Sequence, residues 1–290
     1  MPRLRRLAAW FAVVAPVALL LLAVPAARAT LVHRYSFDGG NADDSVGGLD
    51  GTVFGTLGFD SIDPQQGTQA AVFSGDGYVE FASSAFSASQ FTVTLWAKPS
   101  TGTLSFVEPF ISNKGGGTVD GFGLWWLTSN GSAYVETSNG TTSNSAYSTA
   151  GAVVPGAWQH LAFAVDRAAG TAAVYRNAGD VTSDGGILTD FNVTGPWRMG
   201  LFTDGQYPLH ATLDDVRVYD EVLDADAVRL IMTQPDGVIP EPVTLASAAL
   251  LFGLAGLVAR RRAGRASVVT AAVDARARPA SGPANTGAGT

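Results

Sequence analysis

The chain alternates. From residue 91, "FTVTLWAK" puts Phe91, Val93, Leu95 and Ala97 on one side of an extended backbone and Thr92, Thr94, Trp96 and Lys98 on the other. This is the two-residue period of a strand with one face in a core and the other partly wet. Similar β-branched and aromatic runs recur at 31–37, 70–73, 78–81, 121–127, 133–137, 160–165, 171–176 and 213–219, divided by clusters of Gly, Asn, Asp and Ser. Such spacing, without helical patterns between the runs, predicts an all-β sandwich of antiparallel sheets. Asn130-Gly131 stands between two runs, where a tight turn needs positive φ, so 121–127 and 133–137 are expected to pair as a hairpin. One short helix is expected to close the domain at 223–232, with Asp224 placed to cap free N–H groups and Asp226 in the first turn. The Ser/Thr/Asn/Gly stretch 137–151 reads as exposed, either a binding loop or a wide hairpin connection.

Both ends depart from this pattern. Residues 1–29 have a basic start at Arg3, Arg5 and Arg6, an apolar stretch, and Ala27-Arg28-Ala29. That is the build of a signal peptide cut between Ala29 and Thr30, with an uncleaved anchor as the alternative. Near the other end, Ile239-Pro240-Glu241-Pro242 precedes the apolar run 243–259, which stops at Arg260, Arg261 and Arg262. Those 17 residues reach about 25 Å as a helix, the short limit for spanning a hydrocarbon core of about 30 Å. The arginines place the tail in the cytoplasm and the domain outside. The prolines keep the preceding backbone extended, as a protease requires. An ordinary single-pass anchor is the other reading. Residues 263–290, mostly Ala, Gly, Pro, Ser and Arg, lack the makings of a core and read as a disordered tail.

Composition narrows the choice. With 47 % hydrophobic and 10 % aromatic residues, the 290-residue chain can bury a core. It has no cysteine, so disulfides and thiolate chemistry are excluded. The net charge of −7 conceals a segregation, because residues 30–241 hold 24 acidic and 8 basic side chains, a balance of −16. Nucleic acid and anionic lipid are poor partners for that surface, whereas divalent cations and neutral polymers suit it.

Two resemblances follow from the motifs. "LVHRYSFDGG", "ADDSVGGLDGTV", "VFSGDGYVEF", "FTVTLWAKP", "PGAWQHLAFAVDRAAGTAAVYRNAG" and "ATLDDVRVYDEVLDADAVRLI" resemble, in order and spacing, the blocks of a laminin-G-like domain. The resemblance implies a concanavalin A-like jelly roll over 30–237, two curved antiparallel sheets packed face to face. "IPEP", the apolar run and the three arginines resemble a PEP-CTERM sorting signal over 238–262. That implies an exosortase as processing partner and the envelope of a Gram-negative bacterium as location.

Candidate chemistry is uneven. A glucanase on this fold needs paired carboxylates on one strand. Glu80, Glu108, Glu136, Glu221 and Glu241 do not stand in an E-x-D-x-x-E context, so no catalytic residue is expected. His33, His160 and His210 lack metal-ligand spacing, His160 reads as a packed strand residue, and no G-x-S-x-G elbow occurs. The laminin-G resemblance implies a structural Ca2+ ion joining the early acidic loop to the late "LDDVRVY" strand. Asp44 and Asp214 match the family's acidic positions, and Asp38 and Asp50 are nearby candidates; alternatively these aspartates are turn formers. For sugar, aromatic faces are required. In "GFGLWWLTSNG", Phe122, Leu124 and Trp126 share one face and Trp125 the other, so Trp125 is expected to point outward. Trp197 and Tyr207 lie in Gly- and Pro-rich contexts and join it as candidates, unless these rings merely cover loops or sheet edges. The sequence thus predicts an exported, non-catalytic surface protein, tethered at the inner membrane before transfer, whose jelly roll binds polysaccharide or a surface glycoprotein. A purely structural matrix component is the alternative, and a glycoside hydrolase the less favoured one.

Overall fold

A computed structural model describes residues 29–82, 86, 89–102 and 105–234. The expected signal peptide at 1–29 lies outside these residues except for Ala29, and the PEP-CTERM segment and the tail lie outside them entirely. Among the described residues no helix is long and apolar enough to cross a membrane.

Two antiparallel sheets of eight strands face each other, an all-β sandwich consistent with a jelly roll. In chain order the strands are β1 (Leu31–Tyr35), β2 (Thr52–Gly55), β3 (Gly58–Asp60), β4 (Ala70–Ser74), β5 (Gly77–Phe81), β6 (Gln90–Pro99), β7 (Val107–Ser112) and β8 (Gly121–Leu127). They continue with β9 (Ser132–Ser138), β10 (Ser143–Ser148), β11 (Gln159–Asp166), β12 (Thr171–Arg176), β13 (Gly179–Asp180), β14 (Thr182–Asp184), β15 (Trp197–Met199) and β16 (His210–Tyr219). The first sheet runs β13-β12-β11-β6-β16-β4-β3, with β1 also on β16, and the second β14-β10-β9-β8-β7-β15-β5-β2.

Alternation dictates the core. Phe91, Val93, Leu95 and Ala97 of β6 all point inward, where they meet Phe122, Leu124 and Trp126 from β8. The β8–β9 hairpin forms as expected, with Gly131 at φ 71°. The helix also forms, as α1 (Ala225–Thr233), and the Asp224 side chain accepts from the Ala227 N–H. Its Val228 and Ile231 pack on Tyr219 and Ala162, outside the first sheet.

The polar stretch 137–151 contains strand β10, which alternation did not reveal because its side chains are mostly small and hydrophilic. It is held by its ladder with β9 and by β14 on its far side. β16 changes neighbour midway: His210–Leu213 pair with β4 and the residues from Val216 pair with β1. A bulge separates the halves, and its Asp215 sits at φ 47°.

Candidate functional site

The acidic residues expected to share calcium are placed in two separate arrangements. Asp44 is saturated. Its Oδ1 accepts the N–H groups of Arg34, Val46 and Gly47, each at 3.0 Å. Its Oδ2 accepts Leu49 N–H at 2.9 Å and lies 2.6 Å from His33 Nδ1. Burial alone would raise its pKa, but these hydrogen bonds hold it at about 2. In this arrangement both oxygens of Asp44 are engaged, and the carboxylate staples its own loop. Asp50 serves the same turn, accepting the Asp44 N–H at 2.9 Å.

Asp38 and Asp214 come from distant parts of the chain to one loop. Asp38 Oδ1 accepts from Thr68 N–H and from Gln69 N–H, and Asp214 Oδ2 accepts Gln65 N–H at 2.8 Å and Gln66 N–H at 2.7 Å. Asp214 Oδ1 is buried with no hydrogen-bond partner among the described residues. Burial and the neighbouring Asp215 charge, partly opposed by Gln66 and Gln65, push its pKa up to about 7. Among the described residues, no group of three or more His, Asp or Glu side chains is placed to hold a metal ion. The donor set therefore does not fit a cage of four carboxylates. Among the described residues, Asp214 Oδ1 is the buried carboxylate oxygen left without a donor, the position an ion would take up.

Buried pairs account for other ionisable residues. Glu108 on β7 crosses to the first sheet, accepting His210 N–H at 3.0 Å and lying 3.0 Å from His210 Nδ1, with Ser105 N–H at 3.1 Å. Burial raises its pKa, an effect the His210 contacts offset in part. His160 is packed as expected, edge-on to Trp96. Burial, then the Arg217 charge, push its pKa down to about 3.

The outward face of the second sheet carries a concentrated set of aromatic and charged side chains. Trp125 points outward there, as alternation requires, yet it is only 2 % exposed. Phe202, in the loop after β15, stacks on it at 4.3 Å, and Tyr134 on β9 meets it edge-on at 5.4 Å. Lys114 Nζ lies 4.8 Å over the indole, bonded to Glu136 Oε1 at 2.6 Å and Gly117 O at 2.8 Å. Trp125 Nε1 has no hydrogen-bond partner among the described residues. Gly123 beneath must lack a side chain, because a Cβ would lie 1.8 Å from that nitrogen.

Solvent reaches this cluster through other rings. Tyr147 on β10 stacks on Tyr134 at 5.1 Å and is 37 % exposed. Tyr207, half-buried at φ 53°, packs on Phe202 at 5.1 Å. Of the three expected sugar-binding aromatics, Tyr207 is accessible and Trp125 is covered. Trp197 is a correction: it is 1 % exposed and stacked on Phe81 at 3.9 Å inside the core. Its loop-like context hid the three-residue strand β15, on which Trp197 and Met199 alternate inward and Arg198 outward. Tyr134, Glu136 and Tyr147 escaped sequence reasoning as binding residues. The outward period of "SAYVETS", Tyr134 then Glu136, was the available signal.

The family model for the concanavalin A-like lectin/glucanases superfamily matches residues 73–229, more than half the chain. The chain belongs to that superfamily. No curated protein matches it. Among solved structures, it is similar to domain 4 of a GH43 extracellular arabinanase from Geobacillus stearothermophilus, in complex with arabinotriose. That match has TM-score 0.57 and 24 % identity, and covers 72 % of this chain and all of that domain. The botulinum neurotoxin serotype G binding domain is similar at TM-score 0.53 and 15 % identity, over 70 % of this chain and 50 % of that one. The binding domain of botulinum neurotoxin DC, in complex with rat synaptotagmin II, gives TM-score 0.54 and 13 % identity, over 71 % and 51 %. The superfamily fold thus recurs in those domains, and the chain spans about half the length of the neurotoxin ones.

Proposed function

We propose that this is an exported, non-catalytic protein whose superfamily sandwich binds polysaccharide, or the glycan of a surface glycoprotein, on the outward face of its second sheet. One observation carries the reading: Tyr147 and Tyr207 present ring surface beside the Lys114–Glu136 pair, over rings that lock them in place. Flat rings take the apolar face of a sugar while Glu136 and neighbouring hydroxyls take its polar edge. The similar arabinanase domain, in complex with arabinotriose, supports a sugar ligand. A binding role also suits the carboxylates, since Glu80 and Glu136 are each held in an ion pair and Glu108 is buried against His210.

The remaining expectations enter the same proposal. The signal peptide exports the chain, the PEP-CTERM segment tethers it until an exosortase cuts near Pro240-Glu241-Pro242, and the product works at the cell surface or in the matrix. A structural calcium ion uses Asp214 Oδ1, with Asp38 on the same loop. Binding is tested on a glycan array with Tyr147→Ala and Glu136→Gln beside the wild type. Saturable binding lost in both variants supports the site. Absence of any saturable glycan would leave a purely structural matrix component, and release of reducing ends would make the protein a hydrolase. Sorting is tested by the mass of the exported product, which should lack the apolar run and Arg260 to Arg262.

A further inference from the structure

The aromatic cluster does not end at Trp125. Arg198, outward on β15, donates from Nη1 to the carbonyl oxygens of Phe202 at 3.0 Å and Thr203 at 3.2 Å, so it carries the loop that covers Trp125. The same guanidinium lies 4.5 Å over the Tyr78 ring on β5 and bonds Glu80 at 2.8 Å. Tyr78 in turn stacks almost parallel on Phe54, at 5.1 Å and 10°. Phe54 is 41 % exposed on β2, the edge strand, which has all four residues exposed. Ring contacts and one arginine therefore link Phe54 at one side of the outward face to Tyr147 near the other.

Register places both platforms on the same face. Thr52, Glu80, Arg198 and Ser112 pair in succession across β2, β5, β15 and β7, and Ser112 pairs with Gly123, which pairs with Glu136. From β2 to β10 there are six strand spacings. At about 4.8 Å each, the platforms lie about 29 Å apart. Buried rings fill the interval, while accessible rings occur at both ends and at Tyr207 between them. A solvent-facing Phe–Tyr stack beneath an arginine adds nothing to the core, because the core lies on the other side of the sheet.

We propose, resting on the polysaccharide reading above, that the ligand is a long neutral chain bound along an internal stretch across the strands, with Phe54 and Tyr78 as a second platform. Neutrality follows from charge. The two cations named on this face are each matched, Arg198 by Glu80 and Lys114 by Glu136, so none is left for a uronate, and the exposed Asp204 in the loop over Trp125 repels an anionic chain. Length follows from the separation, because a mono- or disaccharide at Tyr147 cannot reach Phe54. Two contacts on one chain act through effective concentration, so affinity climbs steeply once the chain spans both.

The test uses the purified full-length protein and linear neutral oligosaccharides of the arabino, xylo, manno and cello series, graded from the trimer to the polymer, by calorimetry and affinity electrophoresis. Wild type, Tyr147→Ala, Phe54→Ala and Tyr78→Ala are compared, with melting curves confirming that each folds. The expected result is one series whose affinity rises at least tenfold beyond the trimer. Phe54→Ala and Tyr78→Ala should bring the ratio of long-chain to trimer affinity close to one, while Tyr147→Ala weakens every length. If trimer and polymer bind alike, or if Tyr147→Ala alone matters, the second platform is overturned and the first site stands. If no series binds, both readings fall. If Phe54→Ala converts a dimer to a monomer and leaves sugar binding intact, the platform is an edge-pairing contact and the proposal is overturned.

Discussion

Replacing Asp44 with Asn tests the claim that this residue staples a loop instead of holding an ion. Five donors converge on its carboxylate, four of them backbone N–H groups. They lower its pKa from the ordinary 3.8 to about 2 against the opposing effect of burial. At about 1.36 kcal/mol per pH unit, that difference is worth about 2.4 kcal/mol of stability at pH 7. The folded value lies below the unfolded one, so the gain is complete above about pH 4 and lost as the pH falls toward 2, with about half left at pH 3. Asparagine keeps one acceptor oxygen but turns an N–H2 group toward the Leu49 N–H, so a donor faces a donor. Asp44→Asn should therefore lower the melting temperature at pH 7 by about 5–10 °C for a domain of this size. Urea unfolding followed by tryptophan fluorescence, at pH 7 and pH 3, with calcium or with chelator, measures the difference. A gap of the same size at both pH values would refute the electrostatic origin. A gap seen only with calcium would return Asp44 to the role of metal ligand.

Three further outcomes are expected. Asp214, with its folded pKa raised to about 7, makes the protein less stable as the pH rises from about 4 to 7 in chelator; calcium should cancel that loss, of up to about 4 kcal/mol, and Asp214→Asn should abolish both effects. Superimposed wild-type melting curves with calcium and chelator would remove the ion from the account. Gly123→Ala must displace the Trp125 indole, so it should lower stability by about 2–4 kcal/mol and weaken glycan binding; fluorescence and melting unchanged from wild type would contradict the packing. A chain beginning at Thr30 would carry an ammonium in place of the Thr30 N–H that lies 2.8 Å from Asp220 Oδ1. Asp220→Asn should then cost the mature protein no more than about 1 kcal/mol in chemical denaturation, a loss that high salt reduces.

How far the sequence could be read depended on whether a residue answered to its own strand or to a distant one. Alternation assigned the faces of β6 and β8 correctly, because inward and outward positions in a strand are set by the strand itself, and β-branched and aromatic runs located β9, β11, β12 and most of β16. It also separated Trp126 from Trp125. It did not show that Phe202, 77 positions on, would cover Trp125, since that contact depends on a loop held by Arg198. For β10 and β15 the local pattern was too polar or too short, and only their ladder partners make them strands. The same distinction governs the acids. Asp44 and Asp214 were recognisable as important from their motifs, but which oxygens are filled depends on backbone N–H groups that converge on folding.

Those acids suggest how a cysteine-free domain closes its chain. Asp214 reaches the N–H groups of Gln65 and Gln66, separated from it by 149 and 148 residues, and Glu108 joins His210 across 102. Asp38 does the same over a shorter span to Gln69. Each ties segments far apart in sequence, as a disulfide would, but without constraining the unfolded chain. Their contribution depends on protonation, whereas a disulfide's does not: the hydrogen bonds favour ionised Asp38, while burial makes ionised Asp214 and Glu108 costly. The acidic surface is then also a reserve of staples: eight basic side chains against 24 acidic ones could not neutralise the carboxylates by ion pairing alone, and backbone N–H groups take up the difference at Asp38 and Asp44, whereas at Asp214 they offset burial only in part.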